Sequence, residues 1–136
     1  MISKKCSYAL KAMLSLARHY GEGPITIQQI AGEQDIPARF LEAILRDLKQ
    51  NGFTESIRGK EGGYILTRPA RDIGLGTVIR SLEGPWFAGD GAGDVFSVVW
   101  DQAEQTLSEL MDSYNFQLLL QREDEIQRAK IPDYSI

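Results

Sequence analysis

The chain has 136 residues, enough for one good core or a compact domain with an appended helix, and short for two independent domains. Its apolar (43%) and charged (25%) fractions are those of soluble globular protein, and no apolar run approaches the ~18 residues that span a bilayer. A membrane role is therefore excluded. The opening MISKKCSYAL lacks the features of a secretory signal, and a cytoplasmic location is expected.

A single cysteine, Cys6, excludes an intrachain disulfide, an all-cysteine zinc site and an iron–sulfur cluster held only by this chain's thiolates. The net charge of -4 argues against a polyanionic partner, but its distribution along the chain points the other way. Residues 1–72 hold 11 Lys+Arg and 8 Asp+Glu, whereas residues 73–136 hold 4 and 11. A basic front half and an acidic rear half suit a surface facing nucleic acid with a body held away from it.

From Ser3 to Tyr20, residues Cys6, Ala9, Leu10, Met13, Leu16, Ala17 and Tyr20 recur at helical spacing, which predicts an amphipathic first helix. Gly21, Gly23 and Pro24 end it. Thr26 followed by Gln29 has capping-box spacing and starts a short helix over Ile27–Gln34, with Ile27, Ile30 and Ala31 inward. Asp35, Ile36 and Pro37 make a turn. Phe40, Leu41, Ile44, Leu45 and Leu48 then mark the core face of a third helix, closed by Asn51 and Gly52.

Phe53–Ile57 and Tyr64–Thr67 read as two strands around Arg58-Gly-Lys-Glu-Gly-Gly63, a β-hairpin with a basic, glycine-rich turn. A helix-turn-helix leading into such a hairpin has the order of a winged helix. Ile73–Glu83 is a fourth helix carrying Leu75, Val78, Ile79 and Leu82. Asp94 caps a long helix with Phe96, Val99, Ala103, Leu107, Leu110 and Tyr114 on one stripe, flanked by Trp100 and Met111. That apolar face exceeds what one small domain needs and predicts contact with a second copy. Asn115 starts a short last helix through Leu118, Leu119 and Leu120, and the tail from Glu123 onward is polar and expected to fray.

In a major groove, the bases are read by the face of the third helix opposite its core residues: Ala38, Arg39, Glu42, Ala43 and Arg46. Arg39 can donate two bonds to guanine O6 and N7, and Glu42 can accept from a cytosine amino group. Spaced ion pairs on a solvated helix explain Arg39, Glu42 and Arg46 equally well by spacing alone. Arg58 and Lys60 suit minor-groove entry, with Gly59, Gly62 and Gly63 permitting positive φ, although a merely basic turn is the plainer alternative. Lys4, Lys5 and Tyr8 stand near the N-terminus of helix one, placed to meet phosphates or simply to be solvated. Gln28 and Tyr64 complete the candidate DNA-contacting set.

The segments KKCSYALKAM, GPITIQQIA, PARFLEAILRDLKQNGF, SIRGKEGGYIL and VIRSLEG, in that order and spacing, resemble the Rrf2 family of bacterial regulators over nearly the whole chain. RGKEGGY is similar to the family's RGxxGGY wing and FLE to its recognition-helix signature. The resemblance implies a homodimeric winged-helix protein on an imperfectly palindromic double-stranded operator, usually a repressor. It also implies that Phe40 and Glu42 occupy DNA-contacting positions and that Arg58 is the wing arginine.

The resemblance fails at one place. Cluster-bearing members carry three cysteines between the fourth and the long helix, where this chain has GPWFAGDGAGD. Asp90 and Asp94 offer hard oxygen ligands, poor replacements for thiolates, so no iron–sulfur cluster, metal or other cofactor is expected. Cys6 reads as a small core residue, with redox activity as the alternative. His19 reads as a surface helix residue. Trp86 and Trp100 line an effector pocket at the dimer interface or simply pack between long helices.

The expected fold is mainly α with a small β-hairpin: a winged helix-turn-helix plus a long C-terminal dimerisation helix. Residues 1–83 form the DNA-binding domain, 84–94 a flexible connection, 95–122 the dimerisation helices and 123–136 a polar tail. The expected function is sequence-specific transcriptional regulation, as a repressor, answering to an unknown small-molecule or protein effector or to none. The alternative is a winged-helix protein-interaction module. An enzyme is excluded, because no nucleophile–base pair, metal-ligand spacing or phosphate loop is present.

Overall fold

A computed structural model describes residues 2–87 and 91–131. In chain order these form α1 (Lys4–Arg18), α2 (Ile27–Gln34), α3 (Ala38–Gln50), β1 (Thr54–Ile57), β2 (Gly63–Leu66), a 3-10 turn (Ala70–Asp72), α4 (Leu75–Glu83), α5 (Val95–Asp112) and α6 (Phe116–Lys130). The chain is thus mainly α with one antiparallel hairpin, as its patterning predicts. Among the described residues no helix is long and apolar enough to cross a membrane.

Side-chain caps set where four helices begin. Ser3, Thr26, Asp94 and Asn115 each accept the backbone N–H three residues ahead, from Cys6, Gln29, Ser97 and Leu118. Asp35 closes α2 in the left-handed region (φ 54°), a conformation that Asp tolerates better than most residues, and the chain turns there into α3.

The core is built where α1, α2 and α3 converge under the hairpin. Met13, Leu16, Ile30, Leu41, Leu45, Leu48 and Phe53 are all buried, each worth about 1.5–3 kcal/mol of transfer free energy if it is fully removed from water. Ala12 and Ser15 also face inward on α1, which helical spacing does not single out. The Ser15 hydroxyl is satisfied by the Gln34 side-chain amide at 2.8 Å. Leu10, by contrast, is only half-buried, and Tyr20 lies exposed beyond the helix end because α1 stops at Arg18.

The hairpin pairs Thr54 with Leu66 through Ile57 with Gly63. Its turn-side end is fastened twice more. Ile25 and Tyr64 exchange backbone bonds of 3.1 and 2.8 Å, and Lys49 on α3 donates to Ser56 Oγ at 2.8 Å. A Cβ on Gly63 (φ +158°) would stand 2.3 Å from the Ile25 carbonyl oxygen, so the close approach of these two segments requires glycine.

The last helix departs from expectation: it continues past Glu123 to Lys130. Arg18 on α1 bonds both Glu123 and Asp124, the latter at 3.1 Å, and Ile126 shares a groove with Leu10, Leu14 and Leu119. Tertiary contact holds a segment whose composition alone is unremarkably polar. Phe116 at its start is buried in the N-terminal core, and its N–H bonds Ile73 O at 3.1 Å.

The long helix α5 is placed by few contacts. Arg80 on α4 pairs with Asp112 at 2.7 Å, and the Leu75 N–H bonds Tyr114 O at 2.9 Å. No α5 residue is buried. Phe96 (61%), Val99 (49%), Trp100 and Leu110 are exposed, while Ala103, Leu107, Met111 and Tyr114 are half-buried.

Candidate nucleic-acid interface

Helix α3 has two unlike faces. Leu41, Ile44, Leu45 and Leu48 are buried, whereas Ala38, Arg39, Glu42, Ala43 and Arg46 are all exposed. The only ion pair among those outward charges is Arg46 with Glu42 at 4.0 Å, the outer limit of such a contact and largely solvated. A pair so long and exposed contributes little to stability, so these side chains are held mainly by solvent.

One residue is corrected by the structure. Phe40 is not on the core face of α3 but 42% exposed, because it lies at the margin of the apolar arc in the first turn, beyond the reach of the residues packed against Leu41 and Ile44. Its ring stacks on Tyr8 of α1 (centroids 6.0 Å apart, planes 27° apart), and the Arg39 guanidinium lies 4.8 Å from its centroid. Lys4 stands 5.8 Å from the Tyr8 ring centroid.

The first turns of α1 and α3 therefore enclose a shared groove of about 640 Å³. Lys4, Lys5 and Arg39 line it as cations, and Tyr8, Pro37, Phe40, Ala43 and Ile44 supply its apolar walls. Lys5 is ion-paired with Asp47, which reduces its call on a phosphate. Residues expected to meet DNA from two separate helices thus converge, and Pro37, unremarked in the sequence beyond its turn, joins them. Gln28, Glu42 and Arg46 are exposed but stand outside this groove.

The hairpin forms a separate cationic projection. Arg58 and Lys60 are exposed and make no hydrogen bond or ion pair among the described residues. Gly59 has positive φ (+120°), as expected of such a tip. Gly62 does not; it is needed for space, since a Cβ there would meet Ile57 O at 2.2 Å. Tyr64 is half-buried in β2 beside the turn, packed against the core with its backbone bonded to Ile25, so it anchors the wing rather than forming its tip.

The remaining chemically distinctive side chains have structural partners. His19 is not a free surface residue: its Nδ1 meets Glu22 at 3.1 Å and its Nε2 meets Glu33 at 2.5 Å. Cys6 is 1% exposed, and burial, followed by the charge and hydrogen bond of Glu83, pushes its thiol up to about 11, which suits a small core residue. Trp100 stacks on Phe87 at 5.9 Å, and the indole Nε1 of Trp86 has no partner among the described residues.

Comparison with known proteins extends this picture. A family model described as Rrf2, iron-dependent transcriptional regulator, matches residues 2–122. The HTH-type transcriptional regulator CymR of Bacillus subtilis is 33% identical over 131 residues, covering 94% of this chain and 95% of CymR. Its solved structure, described as that of the global cysteine regulator of B. subtilis, superposes with a TM-score of 0.80 at 32% identity, over 90% of this chain and 97% of that one. The T. potens IscR structure superposes with a TM-score of 0.81 at 34% identity, covering 98% and 93%. Against several other curated relatives the chain spans only 50% to 59% of their length; IscR of Serratia proteamaculans is 38% identical over 82 residues, half of that protein.

An iron dependence does not fit the donor set. Cys6 is buried within α1, the Asp94 carboxylate is engaged in capping α5, and among the described residues no three His, Cys, Asp or Glu side chains are grouped to hold a metal. Asp90, the other oxygen donor considered, lies outside the described residues.

Proposed function

The chain belongs to the Rrf2 family of transcriptional regulators, and from that premise we propose that it represses transcription as a homodimer on an imperfectly palindromic operator, without an iron–sulfur cluster. It is a DNA-binding regulator and not an enzyme. Residues 1–83 read the DNA, and the helices within 95–122 join two copies through the apolar stripe of α5. A small molecule or a partner protein, rather than a cluster, supplies its signal.

The observation that carries this reading is the division of α3: one face entirely buried, the other solvent-exposed and polar, with a cation-lined groove at its N-terminal end. A helix held rigidly by one face with charged side chains exposed on the other is what major-groove reading requires.

Selection of bound fragments from genomic DNA tests it. A discrete palindromic site is expected, bound with an affinity that falls steeply as salt rises. Failure to enrich any duplex above nonspecific background at low salt overturns it and favours a winged-helix protein-interaction module, for which the acidic C-terminal half is suited.

A further inference from the structure

An exposed phenylalanine is ordinary on its own. Phe40 differs because its ring is held from several sides. Lys4, Tyr8, Phe40 and Arg39 run in sequence as cation, ring, ring and cation, at 5.8, 6.0 and 4.8 Å, and bind the first turn of α1 to the first turn of α3. An aromatic side chain has only two rotatable angles, and contacts of this kind hold it in one orientation without burying it.

The groove beside Phe40 is apolar where Pro37 and Ala43 line it and cationic at its rim. The major groove of DNA carries one apolar recognition element, the C5 methyl group of thymine, flanked by phosphates. The two surfaces are complementary in both charge and polarity. A hydrogen-bonding partner does not explain the wall, since Phe40, Pro37 and Ala43 have no side-chain donor or acceptor to offer it.

We propose that Phe40 reads a thymine C5 methyl in the operator and that Tyr8 is the positioning residue for its ring. The proposal rests on the DNA-reading function above and adds the base feature recognised. Arg39, on the same aromatic run, is then available for a neighbouring base pair, and the Tyr8 hydroxyl for the phosphate backbone.

Replacing thymine by deoxyuridine, one position at a time, in the duplex recovered by genomic selection removes only the methyl and leaves every base-pairing group intact. Wild-type protein should lose about three- to tenfold in affinity at one thymine per half-site. Phe40→Ala should bind the thymine and deoxyuridine duplexes equally. Tyr8→Ala should shrink the discrimination, whereas Tyr8→Phe, which keeps the stack and loses only the hydroxyl, should preserve it. A wild-type protein indifferent to every substitution, or a discrimination unchanged in Phe40→Ala, overturns the proposal while leaving DNA binding intact. If no duplex is recovered at all, the underlying function falls first. Because the wild-type thymine-to-deoxyuridine ratio needs no variant, a misfolded mutant cannot hide the result.

Discussion

His19 Nε2 and the Glu33 carboxylate, 2.5 Å apart, join the end of α1 to the end of α2. The opposite ring nitrogen faces Glu22, so both contacts are donated only by the protonated imidazole, a neutral ring having one N–H. Partial burial opposes the charge, but the Glu33 and Glu22 carboxylates outweigh it and raise the His19 pKa above its ordinary 6.5. A raised folded-state pKa stabilises fully below the unfolded value and loses that contribution as pH climbs through the folded value. The melting temperature of wild type should therefore exceed that of His19→Gln most near pH 6 and approach it in alkaline solution. A pH-independent gap would refute the clamp.

Gly63 should be intolerant of a side chain. Its positive φ and the 2.3 Å approach to Ile25 O leave no room for Cβ, so Gly63→Ala should cost about 1–3 kcal/mol in urea unfolding. A loss under about 0.5 kcal/mol would mean that the turn-side end of the hairpin relaxes freely.

Arg58 has no partner among the described residues, so Arg58→Ala should leave the thermal midpoint unchanged. Operator affinity should nevertheless fall, and the slope of its dependence on salt should shrink by about one. Unchanged affinity would take the wing out of the mechanism.

Val99 is exposed on the apolar stripe of α5 in the single chain. If that stripe joins two copies, Val99→Asp buries an unpaired carboxylate at their contact and should raise the dimer dissociation constant by at least about 100-fold, read by sedimentation. A variant that remains dimeric would place the interface elsewhere.

What is legible in the sequence follows from the range of the forces involved. Thr26 and Gln29 locate the start of α2 because a cap is a local bond, visible within four residues. Helical spacing misplaces Phe40 because it cannot distinguish the centre of an apolar arc from its margin, where Tyr8, 32 positions earlier, takes the ring up instead. The extension of α6 beyond Glu123 is equally hidden, since Arg18 stabilises it from the first helix. The Ile25–Tyr64 bridge involves a single residue pair and leaves no periodic signal. For the interface, the charged residues are readable as types, but their grouping into one groove depends on how α1 meets α3.

The burial of Cys6 has a practical consequence. Thiol reagents attack the thiolate, and a thiol held near 11 within a helix–helix contact offers almost none at neutral pH. The protein can therefore be labelled selectively without first removing its own cysteine: a probe attached through Lys60→Cys would sit alone on the wing and report, by its change in emission, when that hairpin meets DNA.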